Sequence, residues 1–106
     1  MSEDAPLGPL EEQILLAVVR IGAGAYGMAV RREIERVIGR DVAIGAVYAT
    51  LDRLEAKGLV ESERGSGKAR RVFVVTPRGA RALEAFRVMR ERLWQGVDLD
   101  PLLGGR

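Results

Sequence analysis

The chain has 106 residues, 47% of them hydrophobic, a formal net charge of +2, and neither cysteine nor histidine. This suits one domain with its own core, and it excludes disulfides, thiolate metal sites, and the usual imidazole ligand or general base. The longest apolar run, Ile14 to Val19, is far below the ~20 residues of a membrane helix, and no leader of targeting type precedes it, so a cytoplasmic protein without membrane contact is expected.

In chain order, Met1 to Pro6 reads as a polar, frayed leader. A first helix is expected to start near Leu7 to Pro9, since proline suits a first turn and Glu11-Glu12 complement the helix N-terminus. Leu10, Ile14, Leu15 and Val18 recur at helical spacing as its inward stripe, and Gly22-Ala23-Gly24 ends it. A second helix is expected from about Tyr26 to Ile38, burying Val30, Ile34 and Val37, with Gly39 as its stop. Arg40-Asp41-Val42 is then a turn, open to pairing with a later hairpin as a short edge strand.

The third helix, Ile44 to Lys57, directs Val47, Leu51 and Leu54 to the core at i, i+4 and i+7. Its opposite face is expected to present Gly45, Ala46, Ala49, Thr50 and Arg53, with Tyr48 packing its ring beside the core and its hydroxyl toward a phosphate. Two β-rich runs follow, Leu59 to Arg64 and Ala69 to Thr76, joined by Gly65-Ser66-Gly67-Lys68. Period-two alternation places Phe73 and Val75 on the core side of the hairpin and Arg71 near its tip. Thr76-Pro77 opens a last helix to about Gln95, with threonine as N-cap and proline at the first helical position. Leu83, Phe86, Met89 and Leu93 form an apolar stripe along it, with Trp94 at its end. Gly96 to Arg106 reads as a loose tail.

Charge is unevenly distributed. Met1 to Glu63 carries 7 Lys/Arg against 11 Asp/Glu, whereas Arg64 to Arg106 carries 10 against 4. The basic excess starts at the hairpin turn and includes Arg64, Lys68, Arg70, Arg71, Arg78 and Arg81, the footprint of a phosphate-binding face. Gly65-Ser66-Gly67-Lys68 is not a nucleotide-binding P-loop: the first glycine and the hydroxyl residue after lysine are missing, and a strand follows. An enzyme would need Thr50, Ser62, Ser66 or Thr76 activated by Lys57 or Lys68, and a metal site would need carboxylates alone, so no enzyme and no cofactor are expected.

Three helices and a hairpin in this order predict a mainly α fold with a small β-hairpin (α+β), a winged helix-turn-helix. Such a domain lays one helix in the DNA major groove and reaches the backbone or minor groove with the hairpin tip. Ile44-Gly45-Ala46-Val47-Tyr48-Ala49-Thr50-Leu51-Asp52-Arg53-Leu54-Glu55-Ala56-Lys57-Gly58-Leu59-Val60 resembles the recognition-helix signature of PadR-type transcriptional regulators. Ala69 to Gly79 is similar to that family's wing strand and its Thr-x-x-Gly entry to the last helix. The resemblance implies a winged-helix domain over 7–76, a dimerisation helix over 77–95 and a homodimeric repressor on an inverted-repeat operator in double-stranded DNA. Carried onto this chain, it implies DNA contacts from Tyr48, Thr50, Arg53, Lys68, Arg70 and Arg71, and a dimer interface at Phe86, Met89, Leu93 and Trp94. Some members bind flat aromatic compounds between tryptophans near the dimer centre, which makes a small aromatic effector at Trp94 an expectation of the same kind. Two departures stand out: Ala43 sits at the third helix's N-cap, where members often have serine, and Tyr26-Gly27-Met28-Ala29 keeps only the glycine of the usual His-Gly-Tyr-Glu segment. A winged helix that docks proteins without binding DNA is the alternative.

Overall fold

Proline at a first helical turn, where a missing N–H costs nothing, opens two of the four helices. The computed structural model describes residues 7–64 and 71–104. Its elements are α1 (Pro9–Ile21), α2 (Gly27–Ile38), α3 (Ile44–Ala56), β1 (Val60–Arg64), β2 (Arg71–Val75) and α4 (Pro77–Trp94). The expected leader and the turn bearing Lys68 and Arg70 lie outside the described residues.

The N-terminus of α1 is held by a carboxylate. Glu11 Oε1 accepts from the Gly8 amide at 2.8 Å, while its Oε2 pairs with Lys57 Nζ at 2.9 Å and lies 3.7 Å from Arg53 Nε. One buried acid thus caps α1 and anchors the end of α3. Ile14, Leu15, Ala17 and Val18 from α1 meet Val30 and Ile34 from α2 and Val47, Leu51 and Leu54 from α3 in the core. Val37 departs from expectation. It is 46% exposed, because the α1–α2 pair stays open at that end and nothing in the domain covers it.

The strands pair antiparallel from Val60–Val75 to Arg64–Arg71. Phe73 is fully buried, worth roughly 1.5–3 kcal/mol, and ties the hairpin to the helices. The edge pairing expected at 40–42 comes from elsewhere. Tyr26 bridges Val72, and the Phe73 amide donates to Ala25 O at 2.9 Å, so the residues just before α2 extend the hairpin. Residues 41–42 are instead held by Arg31, whose guanidinium donates to Val42 O at 2.8 Å and pairs with Asp41 at 3.3 Å.

The start of α4 is locked to the turn after α3. Thr76 Oγ1 accepts from the Gly79 amide at 3.0 Å and donates to Gly58 O at 2.7 Å, and the Thr76 amide donates to Leu59 O at 3.0 Å. A Cβ on Gly79 would stand 2.2 Å from Leu59 O, so the two backbones touch where only glycine fits. Leu83 and Phe86 then pack against the chain's own core, and Arg90 pairs with Glu12 of α1. None of the described helices is long and apolar enough to cross a membrane.

Two predictions follow from these anchors. Gly79→Ala forces backbone apart at a packed junction and should cost about 1–3 kcal/mol or more, visible as a Tm at least about 5 °C lower; an unchanged melting curve would count against the contact. The second concerns acid. Burial raises the Glu11 carboxyl, but Lys57, the Gly8 amide and Arg53 together hold it below its usual value of 4.5. Glu33, between Arg36 and Arg20, is lowered to about 2. Depressed carboxyls contribute stability above the unfolded value and lose it as pH falls through the folded one. Tm should therefore drop between about pH 4.5 and 2, and the drop should shrink in the Glu11→Gln/Glu33→Gln variant.

Candidate nucleic-acid interface

At 3.6 residues per turn, the direction opposite Val47 and Leu54 is taken by Gly45, Ala49, Asp52 and Ala56, flanked by Tyr48 and Arg53. All six are exposed. Three of the four central residues are small, which lets the helix backbone approach a surface closely. The N-cap Ala43 makes no side-chain hydrogen bond, leaving the α3 N-terminus without a capping side chain.

Thr50 is corrected. It was expected on this face but is 1% exposed, since it lies only about 60° around the helix from Val47 and shares its buried side. Its hydroxyl accepts from Arg53 NH2 at 3.2 Å, so it positions Arg53 and presents nothing to a base edge. Arg53 itself remains 57% exposed in its side chain.

Tyr48 is 38% exposed, and its ring lies on the first turn of α2: a Cβ added to Gly27 would stand 2.3 Å from Tyr48 Cζ. The glycine retained from the family segment therefore makes room for the ring. The Tyr48 hydroxyl lies over the same glycine, 2.5 Å from where that Cβ would stand, and has no hydrogen-bond partner among the described residues.

Arg71 lies near the hairpin tip, as expected, paired with Arg64 at the outer end of the described strands. Its guanidinium turns back to α3, with NH1 3.1 Å from Asp52 and NH2 2.7 Å from Glu55, while Cζ stands 4.9 Å from the Phe73 ring centre. Ser62 Oγ completes the group by donating to Glu55 at 2.8 Å. One cation thus pairs with two carboxylates on or beside the outward face of α3, halving their net charge, and fixes the base of the wing to that helix. Local spacing carries no sign of this pairing: Asp52 and Glu55 lie 19 and 16 residues from Arg71, and only tertiary packing joins them.

Among the expected dimer residues, Phe86 is half-buried against the chain's own core. Met89, Leu93 and Trp94 are 44%, 71% and 58% exposed. Phe86 packs with Leu83 against the core, which covers none of Met89, Leu93 and Trp94 further along the helix.

If Arg71 works by screening Asp52 and Glu55, Arg71→Ala should weaken duplex binding, and adding Asp52→Asn and Glu55→Gln should restore most of it. A phosphate contact from Arg71 predicts no restoration, and fluorescence anisotropy titrations on one duplex separate the two. The exposed pairs are each worth about 0–1 kcal/mol, so folding stability should change little.

Comparison with known proteins agrees with this geometry. Residues 15–85 match the family described as "Transcriptional regulator PadR-like family". The chain is 41% identical over 83 residues to the transcriptional regulator Rv3488 of Mycobacterium tuberculosis (strain ATCC 25618 / H37Rv), covering 76% of this chain and 72% of that protein. The solved complex structure of hsRosR-S4 superposes with a TM-score of 0.74 at 26% identity, covering 92% of this chain and 82% of the other. The PadR-like regulator BC4206 of Bacillus cereus strain ATCC 14579 shares the fold, with a TM-score of 0.70 at 24% identity over 92% of this chain and 93% of its own. A fold of four helices and a two-stranded wing, with a small-residue recognition face, therefore belongs to a non-enzymatic, DNA-binding transcriptional regulator, and the chain is a member of the PadR-like family.

Proposed function

We propose that the protein acts in the cytoplasm as a homodimeric repressor on an inverted-repeat operator, with α4 as the dimerisation helix. The observation that carries this is the unspent face of α4. Its inner side already packs on the domain through Leu83 and Phe86, while Met89 and Leu93 line an open groove of about 690 Å³ and Trp94 stays exposed at the helix end. Apolar side chains in a row on an 18-residue helix, about 27 Å long, match the same helix of a second copy. In this reading Tyr48 and Arg53 reach the DNA from α3, and Lys68 and Arg70 reach phosphates from the wing.

Dimerisation supplies selectivity. Two recognition helices one DNA turn apart would read half-sites centred about 10 base pairs from each other. Trp94, half-exposed on the same helix, also supports an aromatic effector bound between two copies. A winged helix used only for protein docking would leave the wing charges dispensable.

Replacing Met89 and Leu93 together with polar residues should give monomers by light scattering. The monomer should keep weak, salt-sensitive binding to any duplex and lose its preference for the inverted repeat. A monomeric unmutated protein at micromolar concentration, or equal binding to all duplexes, would overturn the proposal.

A further inference from the structure

A second apolar surface lies away from α4. Leu16 and Ala17 of α1 and Ile34, Val37 and Ile38 of α2 line a groove of about 200 Å³. Leu16, Val37 and Ile38 are 43%, 46% and 47% exposed. Gln13 lies on the same groove, and its Oε1 is buried without a hydrogen-bond partner among the described residues. A buried acceptor left unpaired is costly, and a backbone N–H brought by a docked segment would satisfy it.

The chain also carries a segment that lacks a surface to cover. After α4, Gly96 adopts φ 76° and turns the backbone, and Leu99 to Leu103 closes a helical turn through the Leu102 and Leu103 amides donating to Leu99 O. Asp98 braces it by accepting from the Asp100 amide at 3.0 Å. Its hydrogen bonds are all local, yet Val97, Leu99, Leu102 and Leu103 are 48%, 40%, 82% and 75% exposed. A structured turn that shows four large apolar side chains to water marks an interaction surface.

We infer that the segment 97–103 of one copy seats in the α1–α2 groove of a second copy, as an exchanged arm. The inference rests on the α4 dimer proposed above. Charge supports it: the arm carries Asp98 and Asp100 and no cation before Arg106, whereas Arg20 on the groove shares the carboxylate of Glu33 with Arg36, which lies beside the groove. Topology supports a second copy as well. From Gly79 on Leu59 to Arg90 on Glu12, α4 runs to the first turn of α1, whereas the groove lies on the later turns of α1 and α2. The arm reaches the groove once α4 carries it across the dimer.

The cysteine-free sequence makes the test direct. Val37→Cys and Leu102→Cys chains, mixed and oxidised, should yield a disulfide-linked heterodimer, with each variant alone giving little. The doubly substituted chain should run as a covalent dimer on a non-reducing gel. A fast-migrating, internally linked monomer, or a dimer in solution with no cross-link, would overturn the arm exchange and leave the α4 dimer standing. A chain that scatters as a monomer would overturn both. As a second measurement, a chain ending at Gln95 should dimerise at least tenfold more weakly; an unchanged dimer constant would also count against the arm.

Discussion

The contact between the first turn of α4 and the backbone at Gly58-Leu59 holds the working parts of this protein in one frame. Glycine at 79 removes the Cβ that would collide with Leu59 O, and Thr76 spans the gap by capping α4 and donating to Gly58 O. The end of the recognition helix, the start of β1, the end of β2 and the start of the last helix therefore meet within a few residues. A change in the angle of α4 would be felt at the wing and at α3 together. Coupling of this kind is how a regulator can link its assembly to the spacing of its reading heads.

Around that frame, charge is used mainly inward. Glu11 holds Lys57 and Arg53, Glu33 holds Arg20 and Arg36, and Arg71 holds Asp52 and Glu55. Each is a side-chain network that joins two elements and engages basic residues that a bare count of lysines and arginines would leave unpaired, although Arg53, 57% exposed, still faces outward. Pairing matters most at Asp52, which lies on the outward face of α3. An unscreened carboxylate there would repel phosphate, and Arg71 would favour binding indirectly by screening part of that charge. What remains outward on α3 is a small-residue surface with one tyrosine and one arginine at its edges.

The apolar surface divides along the same logic. The domain closes its core around Phe73, Ile14 and Leu51 and leaves two apolar areas unsatisfied, the outer face of α4 and the α1–α2 groove. Exposed side chains after Gly96 add a third. In the proposed dimer with exchanged arms, a second copy would cover all three.

Much was legible in the sequence because it depends on local periodicity and turn chemistry. Helix stripes at three and four residues, glycine stops after Ile21 and Ile38, the Thr76-Pro77 start and strand alternation around Phe73 are properties of neighbouring residues, and they determined the winged-helix order and the family. Tertiary structure alone decided which charges are available and which apolar side chains are spent. Thr50 was placed on the outward face by a helical phase about one residue too wide, and its burial depends on how α1 crosses α3. Val37 and Phe86 exchanged their expected environments because packing angles, not spacing, determine where a stripe meets a neighbour. The pairing of Arg71 with Asp52 and Glu55, and the fit of the Tyr48 ring over Gly27, join residues 16 to 21 positions apart. Contacts of that range leave no periodic trace in a single chain, since their geometry is created only when the core closes.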